Sequence, residues 1–101
     1  MLEKTPEVNN EVILYNLNRI GNQIFRTLPT REEGLDWVKP LETLSIEIAG
    51  LTNLYPDNEN LLTLLCKIKG LLSEEVDFFL FRRTIFECCS LTSKIKKDFS
   101  S

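Results

Sequence analysis

Hydrophobic residues recur along most of the chain at intervals of three and four, the spacing that places them on one face of an α-helix. The first such stripe has steps of 4, 3, 4 and 4 and consists of Ile13, Leu17, Ile20, Ile24 and Leu28. Thr5 can cap a helix here, Pro6 suits its first position, and Pro29 disfavours its continuation. The pattern therefore predicts a first helix over residues 6–28.

A second stripe follows with a heptad-like rhythm, formed by Trp37, Leu41, Leu44, Ile48 and Leu51. Thr30 and Glu33 have the spacing of a capping box, in which each side chain satisfies a free backbone donor. These signals predict a helix over residues 31–52. Pro40 lies inside it, so we expect the helix to be kinked or split there, since proline removes a hydrogen bond and clashes one turn back.

The third predicted helix is short and covers residues 58–70. Asp57 or Asn58 can cap its start, and Gly70 can end it in a left-handed conformation. Leucine and isoleucine fill a wide arc of its surface, which indicates heavy burial.

The last predicted helix, residues 74–98, begins with Ser73-Glu74-Glu75, a cap followed by an acidic first turn. It carries an apolar seam with alternating steps of 3 and 4: Phe78, Phe81, Ile85, Cys88, Thr92, Ile95 and Phe99. Phe79 and Phe86 lie outside that seam, and its polar strip consists of Arg83, Glu87, Ser90 and Lys94. A helix that is apolar on so many sides must be covered on several of them.

Four amphipathic helices joined by short turns predict an all-α fold, a compact antiparallel four-helix bundle that forms one domain over residues 1–101. No helix is central in such a bundle. We therefore expect the surplus apolar surface of the last helix to be covered by a second copy, in a homodimer that uses Phe79, Arg82 and Phe86. A monomer that buries the last helix within its own fold is the alternative.

The first helix carries a smaller apolar ridge opposite its main stripe. Val8, Val12 and Tyr15 are spaced i, i+4, i+7, and Arg19 continues the same face. Tyrosine and arginine are enriched where protein interfaces carry binding energy. The ridge is a candidate docking site for a partner protein, and local packing or a subunit contact is the alternative.

Composition limits the chemistry that the 101 residues can perform. The chain has no histidine, which removes Ser-His and Cys-His nucleophile pairs and the histidine-containing metal sites. Three cysteines, Cys66, Cys88 and Cys89, have no zinc or disulfide spacing, so we expect reduced thiols in a cytoplasmic protein; a redox switch at Cys88–Cys89 is the alternative. We expect no catalytic residue, no cofactor and no metal.

The net charge of −3 argues against general binding of polyanions. Acidic residues cluster at predicted helix starts, where the helix dipole favours them, which is the preferred interpretation over metal binding. A patch of Arg82, Arg83, Lys96 and Lys97 leaves a DNA-associated transcription accessory protein as the second hypothesis. No apolar run is long enough to span a bilayer, so no membrane insertion is expected.

Surplus apolar surface without catalytic chemistry favours a non-enzymatic module for protein–protein interaction. Such a protein would act as a small cytoplasmic adaptor, regulator or assembly subunit, with another protein as its partner and nucleic acid not expected.

Overall fold

The chain folds into four α-helices over the residues that a computed structural model describes, 4–73 and 75–100. Their bounds are Lys4–Glu32 for α1, Val38–Leu54 for α2, Glu59–Ser73 for α3 and Phe78–Ser100 for α4. Side chains are described for residues 10–73 and 75–100. The four helices pack into the compact antiparallel bundle that the sequence predicts, with principal dimensions of 51 × 21 × 20 Å.

The helices form a ring in which each one packs against the two beside it. Helix α1 packs against α2 and α4, and α3 packs against the same two; within the described residues, no Cα atoms of the diagonal pairs lie within 8 Å of each other. Pairs of facing residues show that α1 and α4 run antiparallel: Asn18 faces Lys96, whereas Phe25 faces Phe86, further along α1 but earlier in α4. Every helix therefore has one side turned inward and one side turned to the surface.

The inward sides are the stripes read from the sequence. Phe81, Cys88 and eleven aliphatic side chains are essentially inaccessible, and five further hydrophobic residues are nearly so. The buried set is Ile13, Leu17, Ile20, Ile24, Leu28, Leu41, Leu44, Ile48, Leu61, Leu64, Leu65, Ile68, Leu71, Phe81, Ile85, Cys88, Leu91 and Ile95. The central part of the α4 seam, from Phe81 to Ile95, is thus core of a single chain.

The first helix does not end at Pro29, as the sequence predicts, but continues for one more turn. Gly34 ends it instead, with a φ of 76° that glycine adopts at little cost. The amide of Gly34 donates to the carbonyl of Arg31, and that of Leu35 donates to Thr30, the two bonds of a Schellman motif. Proline removes only one intrahelical bond, so a good cap further along decides where the helix stops.

The start of α2 also differs from the sequence prediction, because α1 continues past Pro29. Thr30 lies inside α1 and donates its hydroxyl to the carbonyl of Arg26, so the predicted capping box with Glu33 is wrong. Asp36, the residue before the N-cap Trp37, stabilises the start of α2, because its Oδ1 accepts the backbone N–H groups of Val38 and Lys39. The non-helical stretch between α1 and α2 covers residues 33–37, and α2 begins two residues before Pro40.

Pro40 is consequently the third residue of α2 rather than a point of interruption within it. The first-turn amides of a helix have no intrahelical acceptor, so a proline there removes no bond.

The ends of α3 and α4 confirm one prediction and correct two. Asn58 caps α3, with its Oδ1 accepting the amide of Leu61 at 3.1 Å. Gly70 does not end α3, which runs on to Ser73. Helix α4 begins at Phe78 rather than at residue 74 and is capped by Asp77, whose Oδ1 accepts the amide of Leu80 at 2.8 Å.

The acidic start predicted at Ser73-Glu74-Glu75 is therefore wrong for α4. Ser73 belongs to α3, and Glu75 precedes the helix. Glu74 lies outside the described residues.

Arg31, in the extra turn of α1, joins three elements at one end of the bundle. Its guanidinium lies over the rings of Trp37 and Phe81, 5.0 and 4.6 Å from their centroids. Its Nη2 donates to the carbonyl of Val76 at 2.7 Å, just before α4. These contacts of the Arg31 side chain stabilise the helical turn that follows Pro29.

Candidate functional site

The outward side of α4 carries two large aromatic side chains. Phe79 is 84% exposed, the highest value among the large hydrophobic residues that the structure describes, and Phe86 is 44% exposed. They are seven residues apart, about two turns, and so lie on one face roughly 10 Å apart along the axis. The sequence prediction that both lie outside the core seam is confirmed by their exposure.

A groove of about 770 Å³ runs along this side of α4, and Lys67 of α3 borders it. We call five of its lining residues the α4 outer face: Phe79, Arg82, Arg83, Phe86 and Lys94. The polar strip read from the sequence is therefore interleaved with the phenylalanines rather than separate from them.

One carboxylate lies among the cations of this groove. Glu87 accepts a hydrogen bond from Lys67 at 3.0 Å and lies 3.6 Å from Arg83. The bond from Lys67 holds the pKa of Glu87 below its ordinary value, so the carboxylate stays ionised. Arg82 stacks over the ring of Phe86 at 5.1 Å, and neither Arg82 nor Lys94 pairs with a carboxylate of the described residues. The groove retains a surplus of positive charge.

This surplus contrasts with the rest of the chain. Residues 78–100 contain five arginine or lysine residues and two acidic ones, whereas the remaining residues contain seven and thirteen. The net charge of −3 therefore divides into +3 on α4 and −6 elsewhere. A mildly acidic protein presents one basic and aromatic helix face.

Phe25, which follows the core residue Ile24 on α1, is a surface residue. It is 47% exposed, and its ring packs edge-on against Phe86 at 5.9 Å. This contact supports Phe86 from the α1 side. The sequence carries no signal for it, because the pairing depends on how α1 and α4 are rotated about their axes.

The apolar ridge on α1 is also at the surface. Val12 is 54% and Tyr15 70% exposed. Arg19 instead forms an intramolecular ion pair with Glu47 of α2 at 2.7 Å. The side chain of Val8 lies outside the described residues. Of the four residues predicted for this ridge, two are exposed apolar side chains and one is engaged within the fold.

The four residues of the DNA hypothesis do not form one free patch. Lys96 donates to Asn18 of α1 at 2.6 Å, in the furrow between the two helices. Arg83 pairs with Glu87, and Arg82 stacks on Phe86. The hypothesis itself stays a prediction.

The three cysteines are free thiols in different environments. Cys66 is exposed, Cys88 is buried and Cys89 is half-buried. Burial raises the pKa of Cys88 to about 12 and also raises that of Cys89. Because the thiolate is the reactive species, this environment disfavours the redox alternative at Cys88–Cys89.

The buried thiol predicts a pH dependence of stability. An unfolded thiol ionises near pH 8.5, whereas Cys88 stays protonated in the fold, so its contribution is complete below that pH and is lost as the pH rises. Between about pH 9 and 11 we expect wild type to lose about 1.4 kcal/mol per pH unit more than Cys88→Ala. Urea unfolding of the wild type and of Cys88→Ala at several pH values measures this difference in slope. Equal slopes for wild type and Cys88→Ala would contradict the prediction.

Two other features of the described residues bear on the site. In residues 4–73 and 75–100, no three cysteine or acidic side chains come together in a way that could hold a metal ion. Within the same ranges, none of the helices combines the length and apolar character that crossing a bilayer requires.

Comparisons with protein-family models, with curated proteins and with solved structures gave no match.

Proposed function

We propose that this protein is a non-enzymatic protein-binding module whose docking surface is the α4 outer face. The observation that carries the proposal is the 84% exposure of Phe79 beside Phe86. A phenylalanine left in water forgoes roughly 1.5–3 kcal/mol of burial free energy, and Phe79 is not needed for the core of the bundle. Exposed aromatic residues flanked by arginine have the composition of binding hot spots.

The role of a small cytoplasmic adaptor, regulator or assembly subunit is part of this proposal. The absence of histidine from the whole sequence supports a function without catalysis.

A second copy is the occupant that the sequence favours, through Phe79, Arg82 and Phe86. Charge argues against it on this face. A symmetric dimer brings the same patch together from both copies. The four cations and one carboxylate that line the groove of one copy would therefore approach the same set in the other. Like charges brought together across an interface cost several kcal/mol. We therefore assign the face to a different protein, and the homodimer becomes a distinct outcome of the test.

Site-specific photo-crosslinking tests the proposal. A benzophenone amino acid is placed at Phe79 or, as the control, at Ile46, which is 72% exposed on α2. We expect irradiation of cells of the source organism to give adducts from position 79 that mass spectrometry identifies as the same protein in repeated experiments. The Ile46 position should give none of these adducts.

Two results would overturn this assignment. Adducts between two copies, together with a light-scattering mass of twice 11.7 kDa, would establish the homodimer. Equal yields from positions 79 and 46 would show that the α4 outer face is not a docking surface.

A further inference from the structure

We infer that the segment bound by the α4 outer face is an acidic amphipathic helix of the partner, with large apolar residues on one side. This inference rests on the proposed function and specifies the chemistry of the partner. Three observations lead to it: the charge of the groove, the spacing of its two phenylalanines and its shape.

The charge selects an acidic segment. Lys67, Arg82, Arg83 and Lys94 line the groove against the single carboxylate of Glu87. Glu87 is already bonded to Lys67 and lies near Arg83, so Arg82 and Lys94 remain for the carboxylates of a partner. Arginine offers a planar fork that matches a carboxylate, and its position over Phe86 holds that fork in place.

The spacing of the anchors selects a helix. Phe79 and Phe86 are one heptad apart, about 10 Å along α4. A helix packed alongside at a shallow crossing angle presents its apolar side chains at this same repeat. Helix-in-groove recognition uses such i, i+3, i+4 and i+7 anchors. The described helices offer no sheet edge to which an extended strand could add.

The shape of the surface distinguishes a helix from a bilayer or a DNA duplex. The aromatic and basic residues line a shallow, largely open groove of about 770 Å³, with the nearly buried Leu91 among its lining. A flat membrane would contact the exposed Phe79 but would not reach Leu91, which is 9% exposed. Duplex DNA would bring its phosphates to Arg82 and Lys94 but would gain little from two phenylalanines.

Three labelled peptides of about 21 residues, three heptads, test the inference. The first is a helix-forming peptide with leucine and phenylalanine at the apolar heptad positions and glutamate at most others. In the second, lysine replaces every glutamate; in the third, serine replaces every apolar residue. We expect fluorescence anisotropy to give a Kd for the acidic amphipathic peptide at least about tenfold lower than for either other peptide. Raising the salt from about 50 to 300 mM should weaken this binding severalfold, because part of it is electrostatic.

Variants of the full chain locate the binding. Phe79→Ala and Arg82→Glu should each raise the Kd of the acidic amphipathic peptide by about tenfold or more. Ile46→Ala and Lys39→Glu change an exposed apolar and an exposed basic residue on α2. They should leave the Kd unchanged within about twofold. Far-UV circular dichroism of each variant verifies that the fold is intact.

Several outcomes would overturn the inference. The first is equal binding of the lysine peptide, and the second is no binding of the acidic amphipathic peptide up to about millimolar concentration. The third is an increase in Kd for the α2 variants as large as that for the α4 variants. Tighter binding to phosphatidylserine vesicles or to a DNA duplex at the same salt would assign the face to that ligand class instead. Crosslinking from position 79 to a partner, combined with failure of the acidic peptide, would refute only the stated chemistry and leave the proposed function standing.

Discussion

Replacing Phe81 by alanine is expected to lower the free energy of unfolding by about 3–5 kcal/mol, the usual cost of removing a buried phenylalanine. Phe81 is fully inaccessible to solvent and packs against Trp37 and Phe78, with ring centroids 4.8 and 6.4 Å away. Arg31 covers its other side. The variant would lose these contacts and leave a cavity at one end of the bundle. Small domains are stable by only about 5–15 kcal/mol, so this loss is a large fraction of the total.

Urea unfolding followed by circular dichroism and by the fluorescence of Trp37 measures the effect. The matched control is Phe79→Ala, the same substitution two residues earlier in the same helix. Because Phe79 is 84% exposed, its removal should change stability by no more than about 0.5 kcal/mol. Comparable losses for the two variants would mean that α4 is rotated about its axis relative to the structure.

Replacing Arg31 by alanine is expected to lower the free energy of unfolding by about 2 kcal/mol. A hydrogen bond from a charged donor, such as that from Arg31 to Val76, contributes about 1.5–3 kcal/mol. Stacking on Trp37 and Phe81 adds about 0.5–2 kcal/mol for each ring. Against these gains, Nη1 of Arg31 is buried without a hydrogen-bond partner among the described residues, which costs about 1–3 kcal/mol.

Two further variants make this measurement decisive. Arg26→Ala removes an exposed arginine from the same helix and should change stability by about 0.5 kcal/mol or less. Arg31→Lys keeps the charge but lacks the planar group that covers two rings and donates to Val76, so it should recover less than half of the loss. An increase in stability for Arg31→Ala would show that the unsatisfied N–H outweighs the three contacts.

Local spacing was sufficient to predict the core of this bundle. The α1 stripe, the central part of the α2 stripe from Leu41 to Ile48 and the α4 seam from Phe81 to Ile95 are buried as their three- and four-residue steps require. This works because the helical repeat alone decides which side chains share a face. The cap at Asn58 was equally readable, since a side chain that accepts the amide three residues later is a local interaction.

Helix ends were predicted less well, because several local signals compete and tertiary contacts decide among them. Pro29 and Gly70 both carry stop signals, yet the chain continues through each. Helix α1 instead ends at the cap formed by Gly34. The added turn is stabilised because Arg31 packs against Trp37 and Phe81 and donates a hydrogen bond to Val76. The value of that docking depends on residues up to 50 positions away, which no local window contains.

The candidate site was found in part. Phe79, Arg82 and Phe86 were named from the sequence, because they lie off the α4 seam. The contribution of Lys67 from α3 and the support of Phe86 by Phe25 became visible only in the fold. Both depend on which helices are neighbours and on their rotation, neither of which a stripe of hydrophobic residues specifies.

By itself, the sequence determined the helical class, the buried face of each helix and the absence of histidine chemistry, since these follow from composition and from the helical repeat. Only the tertiary structure decided what covers the remaining apolar surface. The seam of α4 is closed by the other helices of the same chain, whereas Phe79 and Phe86 stay outside beside Arg82 and Lys94, which pair with no carboxylate of the described residues. The physical reason is that the helical repeat selects the inward side of each helix, whereas the ring order of the four helices determines which neighbours cover that side and leave the opposite side at the surface.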